Sequence, residues 1–189
     1  MDIVVLNRYY YLLNTILDGV DNVTPTFTYA DHADLPRIVA IYNQTIASRL
    51  VTADLEPVTV SSREAWFAAF DPHKRPIWKM MLNSQIAGWV SLENFYGRPA
   101  YQRTAELSIY ISQEFRHHGL GQQALAFVAT QLRQLGIENI VCFIFHHNNP
   151  SLGLFKKNHF EVWGHLPNVA VLDGQHRDLD ILGRHYFDL

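Results

Sequence analysis

The sequence predicts a single α+β domain of three-layer type, a mixed, mostly antiparallel central sheet with helices on both faces. Three observations predict it. Strand-like and helix-like runs follow one another in mixed order, without the strict alternation of an all-parallel sheet. Two short polar connections, Asn83-Ser84-Gln85 and Asp173-Gly174, join neighbouring β-like runs as hairpins. Between them the stretch from Thr104 to Leu125 passes from strand through a glycine turn into a helix.

At 189 residues with 48% hydrophobic content, the chain is long enough to bury an ordinary core. One domain over residues 26–187 is expected, preceded by an extension of residues 1–25. A net charge of -3 argues against a general nucleic-acid surface, which needs a basic field. The single cysteine, Cys142, lies in the apolar run Ile140 to Phe145, so a buried inert thiol is expected. The N-terminal segment has Asp2 before its apolar run and Asn7 and Arg8 within it, which is not the build of a signal peptide. No run approaches the ~20 apolar residues that span a bilayer, so no membrane partner is expected and a cytoplasmic location is.

The elements follow in order. Leu6, Tyr9, Tyr10, Leu13 and Leu17 recur at helical intervals, so Val4 to Leu17 reads as a helix that packs on the domain, makes a homodimer contact or serves as a lid. Thr26 to Ala30 is a short strand. Asp31 and Asp34 are candidate N-caps, Pro36 suits a first helical turn, and Ile38, Val39, Ile41, Tyr42 and Ile46 form the stripe of a first helix. Ser61-x-x-Glu64 has the capping-box form ahead of Trp66, Phe67 and Phe70, a second helix that Asp71-Pro72 stops. Ile77 to Leu82 and Ile86 to Glu93 are hairpin strands, and Asn94 to Gln102 is a loop. After the central strand and a helix over Gln122 to Leu135 comes a buried strand, from Ile137 or Ile140 to Phe145. Ser151 to Lys157 is the last helix. Phe160 to Trp163, Val169 to Leu172 and Leu179 to Leu182 complete the sheet.

The chemistry concentrates in the central stretch. Glu106, Ser108 and Tyr110 alternate with Leu107, Ile109 and Ile111, which sets a carboxylate inside a sheet. Flanked by apolar residues, Glu106 should be partly desolvated, and its pKa raised toward the range useful for accepting a proton. A buried ion pair is the alternative. Arg116-His117-His118-Gly119-Leu120-Gly121, continuing to Gln122, is a basic turn whose two glycines let the backbone aim N–H groups at one point, at the positive end of the next helix. That suits a phosphate or pyrophosphate; a plain strand-to-helix turn is the alternative. Neither the dinucleotide nor the nucleotide-triphosphate glycine fingerprint occurs. The loop bearing Arg98 and Tyr101 could receive an anionic group of a substrate, or simply face water. The ten histidines show no metal-ligand spacing, so no metal is expected, and no G-x-S-x-G elbow surrounds a serine.

R-x-x-G-x-G opening a helix after a glutamate-bearing strand resembles the coenzyme A signature of the GCN5-related N-acetyltransferases. The wider match, in AYQRTAELSIYI, NNPSLGLFKKNHF, the upstream IYN and LEP and the late DGQHRD, is most similar to the phosphinothricin acetyltransferase branch and spans about Thr26 to Tyr186. The resemblance implies the fold of that family and acetyl-coenzyme A as co-substrate. It implies Glu106 as the base, often through water, pantetheine pairing with Ile109, Tyr110 and Ile111, and pyrophosphate on Arg116 to Gln122. It also implies Asn148 beside the pantetheine arm, with Ser151 capping the helix, and Glu56 as an amine contact on the acceptor side. Two departures stand out. Phe155 occupies the position of a tyrosine proposed to protonate the leaving thiolate, so the general acid is unassigned. His159 replaces the usual glycine before the aromatic of that motif, so the local turn there is expected to differ.

Acetyl transfer to an amine demands that the amine lose a proton, that the thioester oxygen be stabilised as it turns negative, and that the thiolate be protonated or tolerated. Glu106 answers the first demand and a backbone N–H near Ile109 to Ile111 the second. The expected activity is transfer from acetyl-coenzyme A to a small-molecule amine, an amino acid or an analogue such as phosphinothricin or methionine sulfone, in a ternary complex. Transfer to a protein N-terminus and acyl-coenzyme A binding without turnover are the alternatives.

Overall fold

Residues 24–187, which a computed structural model describes, form seven strands and four α-helices. The helix expected over Val4 to Leu17 lies outside the described residues. Strands β1 (Thr26–Tyr29), β2 (Ile77–Leu82), β3 (Gln85–Asn94), β4 (Thr104–Ile111), β5 (Asn139–Phe145), β6 (Glu161–Leu172) and β7 (Gln175–His185) make one sheet in the order β1-β2-β3-β4-β5-β7-β6. Every neighbouring pair is antiparallel except β4 and β5. The hairpins form as their residues demand. Asn83 and Ser84 (φ 47° and 64°), like Asp173 and Gly174 (φ 49° and 77°), take the left-handed backbone that two-residue hairpin turns require.

The parallel pair positions the site. β4 and β5 are in register only at Thr104↔Asn139, Ala105↔Ile140 and Glu106↔Val141. Beyond Glu106 they separate, so on that side β4 has no strand partner along Leu107 to Ile111, while β3 pairs it along its other edge. A split therefore opens in the middle of the sheet, and Glu106 stands at its apex.

Helices α1 (Leu35–Ile46) and α2 (Val60–Ala68) cover one face, where Ile38 and Ile41 pack with Ile77 and Trp89. Helices α3 (Leu120–Gln131) and α4 (Asn149–Lys157) cover the other. There Leu125, Val128, Leu132, Leu152 and Phe155 join Val90, Leu92, Leu107 and Ile140 in the main core. Cys142 is buried in that core as expected. The Trp89 indole N–H donates to the Ile38 carbonyl (3.2 Å), which fixes α1 over β3.

Several element boundaries differ from expectation, each for a local reason. Helix α3 starts at Leu120 rather than Gln122, because Gly119 (φ 74°) serves as its left-handed N-cap and Leu120 is already buried; it ends at Gln131, short of Leu135. The Ser61–Glu64 capping box does not form. Thr59 caps α2 by accepting from the Ser62 N–H (3.1 Å), and Glu64 instead pairs with His32 (2.7 Å). Asp31 caps a short 3₁₀ turn over His32–Asp34, whereas the Asp34 carboxylate accepts from the Asp31 N–H (2.9 Å) and pairs with Lys79 (2.6 Å) rather than capping α1. Asn148, not Ser151, caps α4. The three C-terminal strand segments are two long strands, β6 and β7, because β6 absorbs its irregularities as bulges between Val162 and Gly164 and between Leu166 and Ala170. His159 stands with φ 61°, so the chain takes left-handed backbone there without a glycine.

Candidate active site

The alternation read in β4 becomes the floor of a cavity. Glu106, Ser108 and Tyr110 point from β4 into a space of about 270 Å³, which Trp89 and Glu93 of β3, Ile38, Val39 and Tyr42 of α1, Arg63 and Trp66 of α2, and Val58 also line. Four of these are aromatic. Trp89 stacks on Tyr110 (centroids 4.4 Å), Trp66 meets Trp89 edge-on (5.7 Å), and Tyr42 leans on Tyr110 (5.1 Å). Such walls displace water from whatever they enclose.

Within this wall the Glu106 carboxylate makes no hydrogen bond to any described residue, and its register partner across the β3–β4 ladder is Glu93. Burial, and then the Glu93 carboxylate, push its pKa up to about 7. Burial also raises Glu93, opposed by a hydrogen bond from Trp66 and by the charge of Arg63. Arg63 is the cation of the lining. Its guanidinium lies over Tyr42 (5.0 Å) and is bridged to Asp54 (2.6 Å), whose carboxylate also accepts from the Tyr42 hydroxyl (2.5 Å). The site thus holds one carboxyl poised to gain or lose a proton near neutrality beside a second acid.

The glycine turn lies at the far end of β4. Ser112 and Glu114, just before it, accept from Arg37 (3.2 and 2.7 Å), and Gln113 donates its N–H to Gln44 (2.9 Å), so the approach is pinned to α1. Arg116 Nε donates to the Ile111 carbonyl (3.2 Å). His117 and Gly119 are both left-handed (φ 66° and 74°), and His117, His118 and Gly119 are exposed. The N–H groups of Leu120, Gly121 and Gln122 belong to the first turn of α3 and have no carbonyl behind them within the helix. A Cβ on Gly121 would lie 2.8 Å from Leu154 Cδ2, so that glycine lets α3 approach α4 closely. The Gln122 side chain exchanges hydrogen bonds with Asn158 (2.6 and 2.8 Å), so only its backbone faces the turn's concavity.

Between the two regions runs the split. Leu107 to Tyr110 of β4, Cys142 to Ile144 of β5, Asn148, Ser151, Phe155 and Val51 line it. Every second peptide group of β4 points into it, as an antiparallel partner on one side dictates. Asn148 is at its edge but is committed structurally: its Oδ1 accepts from the Ser151 N–H (3.2 Å) and its Nδ2 donates to the Leu50 carbonyl (3.0 Å). An extended arm with alternating amides would match this edge, and an anion the turn at its end. The chain's own geometry therefore fits a pantetheine-diphosphate group.

The fold brings Glu106, Ile109, Tyr110, Ile111, the Arg116–Gln122 turn and Asn148 along one path, and leaves three expected contacts elsewhere. Glu56 is exposed and near Arg49, outside the cavity lining. Arg98 is exposed, and Tyr101 packs on Phe95 (5.6 Å) in a 3₁₀ turn over Pro99–Tyr101, also outside it. Arg98 and Tyr101 sit on the β3–β4 loop, whose aromatics fold on one another, and Glu56 on the connection between α1 and α2. Conversely Tyr42, Arg63, Trp66 and Glu93 were not singled out from sequence. Tyr42 and Trp66 look there like ordinary members of apolar helix stripes, and only the strand register reveals Glu93 opposite Glu106.

Comparison with known proteins accords with this geometry. The sequence profile described as the Acetyltransferase (GNAT) family matches residues 38–160. The chain is similar to the Bacillus subtilis protein YwnH, provisionally named a phosphinothricin acetyltransferase, with 49% identity over 84% of this chain and 98% of that one. It is 33% identical to an L-methionine sulfoximine/L-methionine sulfone acetyltransferase of Pseudomonas aeruginosa, over 79% of this chain and 88% of the relative. Among solved structures it resembles yncA of Salmonella typhimurium, provisionally called an acetyltransferase and described with acetyl-CoA as its cofactor. The TM-score is 0.80 and the identity 25%, covering 88% of this chain and 96% of that one.

Proposed function

Because the chain belongs to the GNAT acetyltransferase family, we propose that it transfers the acetyl group of acetyl-coenzyme A to the amine of an amino acid or a close analogue, with Glu106 as the base. The observation that carries this reading is a carboxyl with a pKa near 7 at the apex of a sheet split whose far end is a helix-capping glycine turn. When bound, acetyl-coenzyme A supplies an acyl group activated as a thioester. The first-turn N–H groups of α3 with Arg116 hold its diphosphate, and the free edge of β4 from Ile109 to Ile111 aligns its arm.

Glu106 accepts the proton of the incoming ammonium, directly or through one water, and does so because it is half ionised near pH 7. Tyr42, Trp66 and Trp89 wall the cavity and keep bulk water from the amine while that proton leaves. Arg63 can exchange Asp54 for the carboxylate of an amino acid. Phe155 lines the split and has no proton to give, so the departing thiolate takes its proton from water or leaves as the anion.

A cavity of about 270 Å³ favours an amino-acid-sized acceptor over a peptide. The names of the relatives, for methionine sulfone, methionine sulfoximine and phosphinothricin, suggest where to begin. The test is release of coenzyme A thiol with these three compounds, a panel of free amino acids and a panel of peptides. Turnover with a free amino acid or analogue is expected. Turnover with peptides alone would assign a protein N-terminus as acceptor, and tight coenzyme binding with no turnover would make the chain a sensor.

A further inference from the structure

The rim where β5, β6 and β7 meet carries a cluster unconnected with the acetyl-transfer path. His146 leaves the end of β5, His165 sits on β6, and Asp178 and Asp180 on β7. Asp180 is directly opposite His165 in one ladder and Ile144 in the other, and the His146 N–H donates to the Asp178 carbonyl (3.0 Å), which continues the β5–β7 ladder. Residues two apart on a strand share a face, so the two imidazoles and two carboxylates converge on one side of a three-stranded edge. The Asp180 carboxylate is 5% exposed, whereas the imidazoles of His146 and His165 are 61% and 43% exposed.

We propose that His146, His165 and Asp180 form a binding site for a late first-row divalent cation, Zn²⁺ being the natural occupant. One ring nitrogen of each of His146 and His165 and a carboxylate oxygen of Asp180 all lie within 4.8 Å of one another. His146 Nδ1 is 2.9 Å from Asp180 Oδ2 and His165 Nδ1 is 2.7 Å from Asp180 Oδ1. Metal–ligand bonds of about 2.0–2.2 Å put neighbouring ligand atoms roughly 3 Å apart, so a small outward movement of the two exposed rings admits one ion.

A second carboxylate independently supports this reading. Asp178 Oδ2 faces the other ring nitrogen of His165, Nε2, at 3.4 Å, and its Oδ1 is itself held by the Asn168 N–H (2.7 Å). A metal-bound imidazole characteristically turns its remote N–H to a carboxylate, which fixes the tautomer that leaves the near nitrogen free to ligate. Asp180 and Asp178 thus face the two ring nitrogens of His165, and a cation held at Nδ1 would take the place of the proton that this nitrogen otherwise gives to Asp180. Imidazole and carboxylate donors together suit zinc and its neighbours rather than calcium or magnesium. The exposed ring side leaves room for water on the ion. The ligands join three strands at the exit of β5, two residues before Asn148, so the ion would clamp the rim beside the split.

The experiment uses the full-length chain without an affinity tag, stripped of metal with a chelator and titrated with Co²⁺, read by its visible d–d absorption, and then with Zn²⁺ in competition. One equivalent should bind, with a Kd of about 10 μM or tighter for Zn²⁺. His146→Gln and His165→Gln, both changes at exposed rings, should each weaken it by at least about tenfold. Zn²⁺ should also raise the unfolding midpoint of the parent and not of these variants. Zn²⁺ binding weaker than about 10 μM would mean that a ring proton alone fills the gap and would overturn the site. Binding of one equivalent that neither substitution weakens would put the ion elsewhere and overturn it equally.

Discussion

Glu106 trades stability for reactivity, and the sign of that trade can be worked out. Its pKa rises from the ordinary 4.5 to about 7 in the folded chain, because burial and the Glu93 charge penalise the ionised form. The folded state therefore holds more protons than the unfolded one between those values. Stability falls as pH rises through that window, and the penalty is complete above about 7. Glu106→Gln cannot ionise, so thermal unfolding should show it more stable than the parent at pH 8 and nearly equal at pH 4.5; a less stable variant at pH 8 would contradict the burial argument. His159 poses a similar question of strain. A non-glycine residue at φ 61° pays for left-handed backbone, so His159→Gly should raise stability in urea by up to about 1 kcal/mol. Glu106 was legible in sequence because a period of two places a strand residue on a face without any knowledge of its neighbours. Glu93 was not, because its role comes from pairing with a residue thirteen positions away, and pairing is a tertiary fact.

At the level of the element, the glycine turn was legible and its division of labour was not. Sequence showed two glycines before a helix. Gly119 is needed for backbone, since it is left-handed and an added Cβ would meet only the end of Gln123, whereas Gly121 is needed for space, against Leu154. Gly119→Val should cost about 1–2 kcal/mol in stability and weaken acetyl-coenzyme A binding, while Gly119→Asn, which tolerates left-handed backbone, should retain both. Calorimetric titration with acetyl-coenzyme A separates the two variants. Gly183 of β7 has a role that no local pattern announces. Trp163 of β6 lies across it so closely that a Cβ would fall 2.1 Å from the indole ring. Gly183→Val must expel that ring and should lower stability by about 1–3 kcal/mol in chemical denaturation. The helix caps show the same lesson in reverse. Ser61-x-x-Glu64 satisfies the capping-box pattern, yet Thr59 caps and Glu64 turns to His32, since a pattern cannot show which partner across the fold competes for a side chain.

The whole molecule is arranged around the place where its sheet comes apart. Six strand pairs could have been uniformly antiparallel; the one parallel pair holds for three residues and then opens, so β4 presents a free edge between two helical layers. Fold class and layer order were legible from the succession of elements. The insertion of β7 between β5 and β6 was not, nor was the cavity that α1 and α2 close over β4, because both depend on how distant elements meet. The same distance dependence explains why Glu56, Arg98 and Tyr101, near the site in sequence, do not line the cavity. The most direct test of the account is the pH dependence of kcat/KM for acetyl transfer by the parent and by Glu106→Gln, with coenzyme affinity measured alongside. The account predicts a parent rate that falls on the acid side with a pKa near 7, and a variant much slower at neutral pH that lacks this limb and binds acetyl-coenzyme A unchanged. Superimposable profiles would show that Glu106 takes no proton in the reaction.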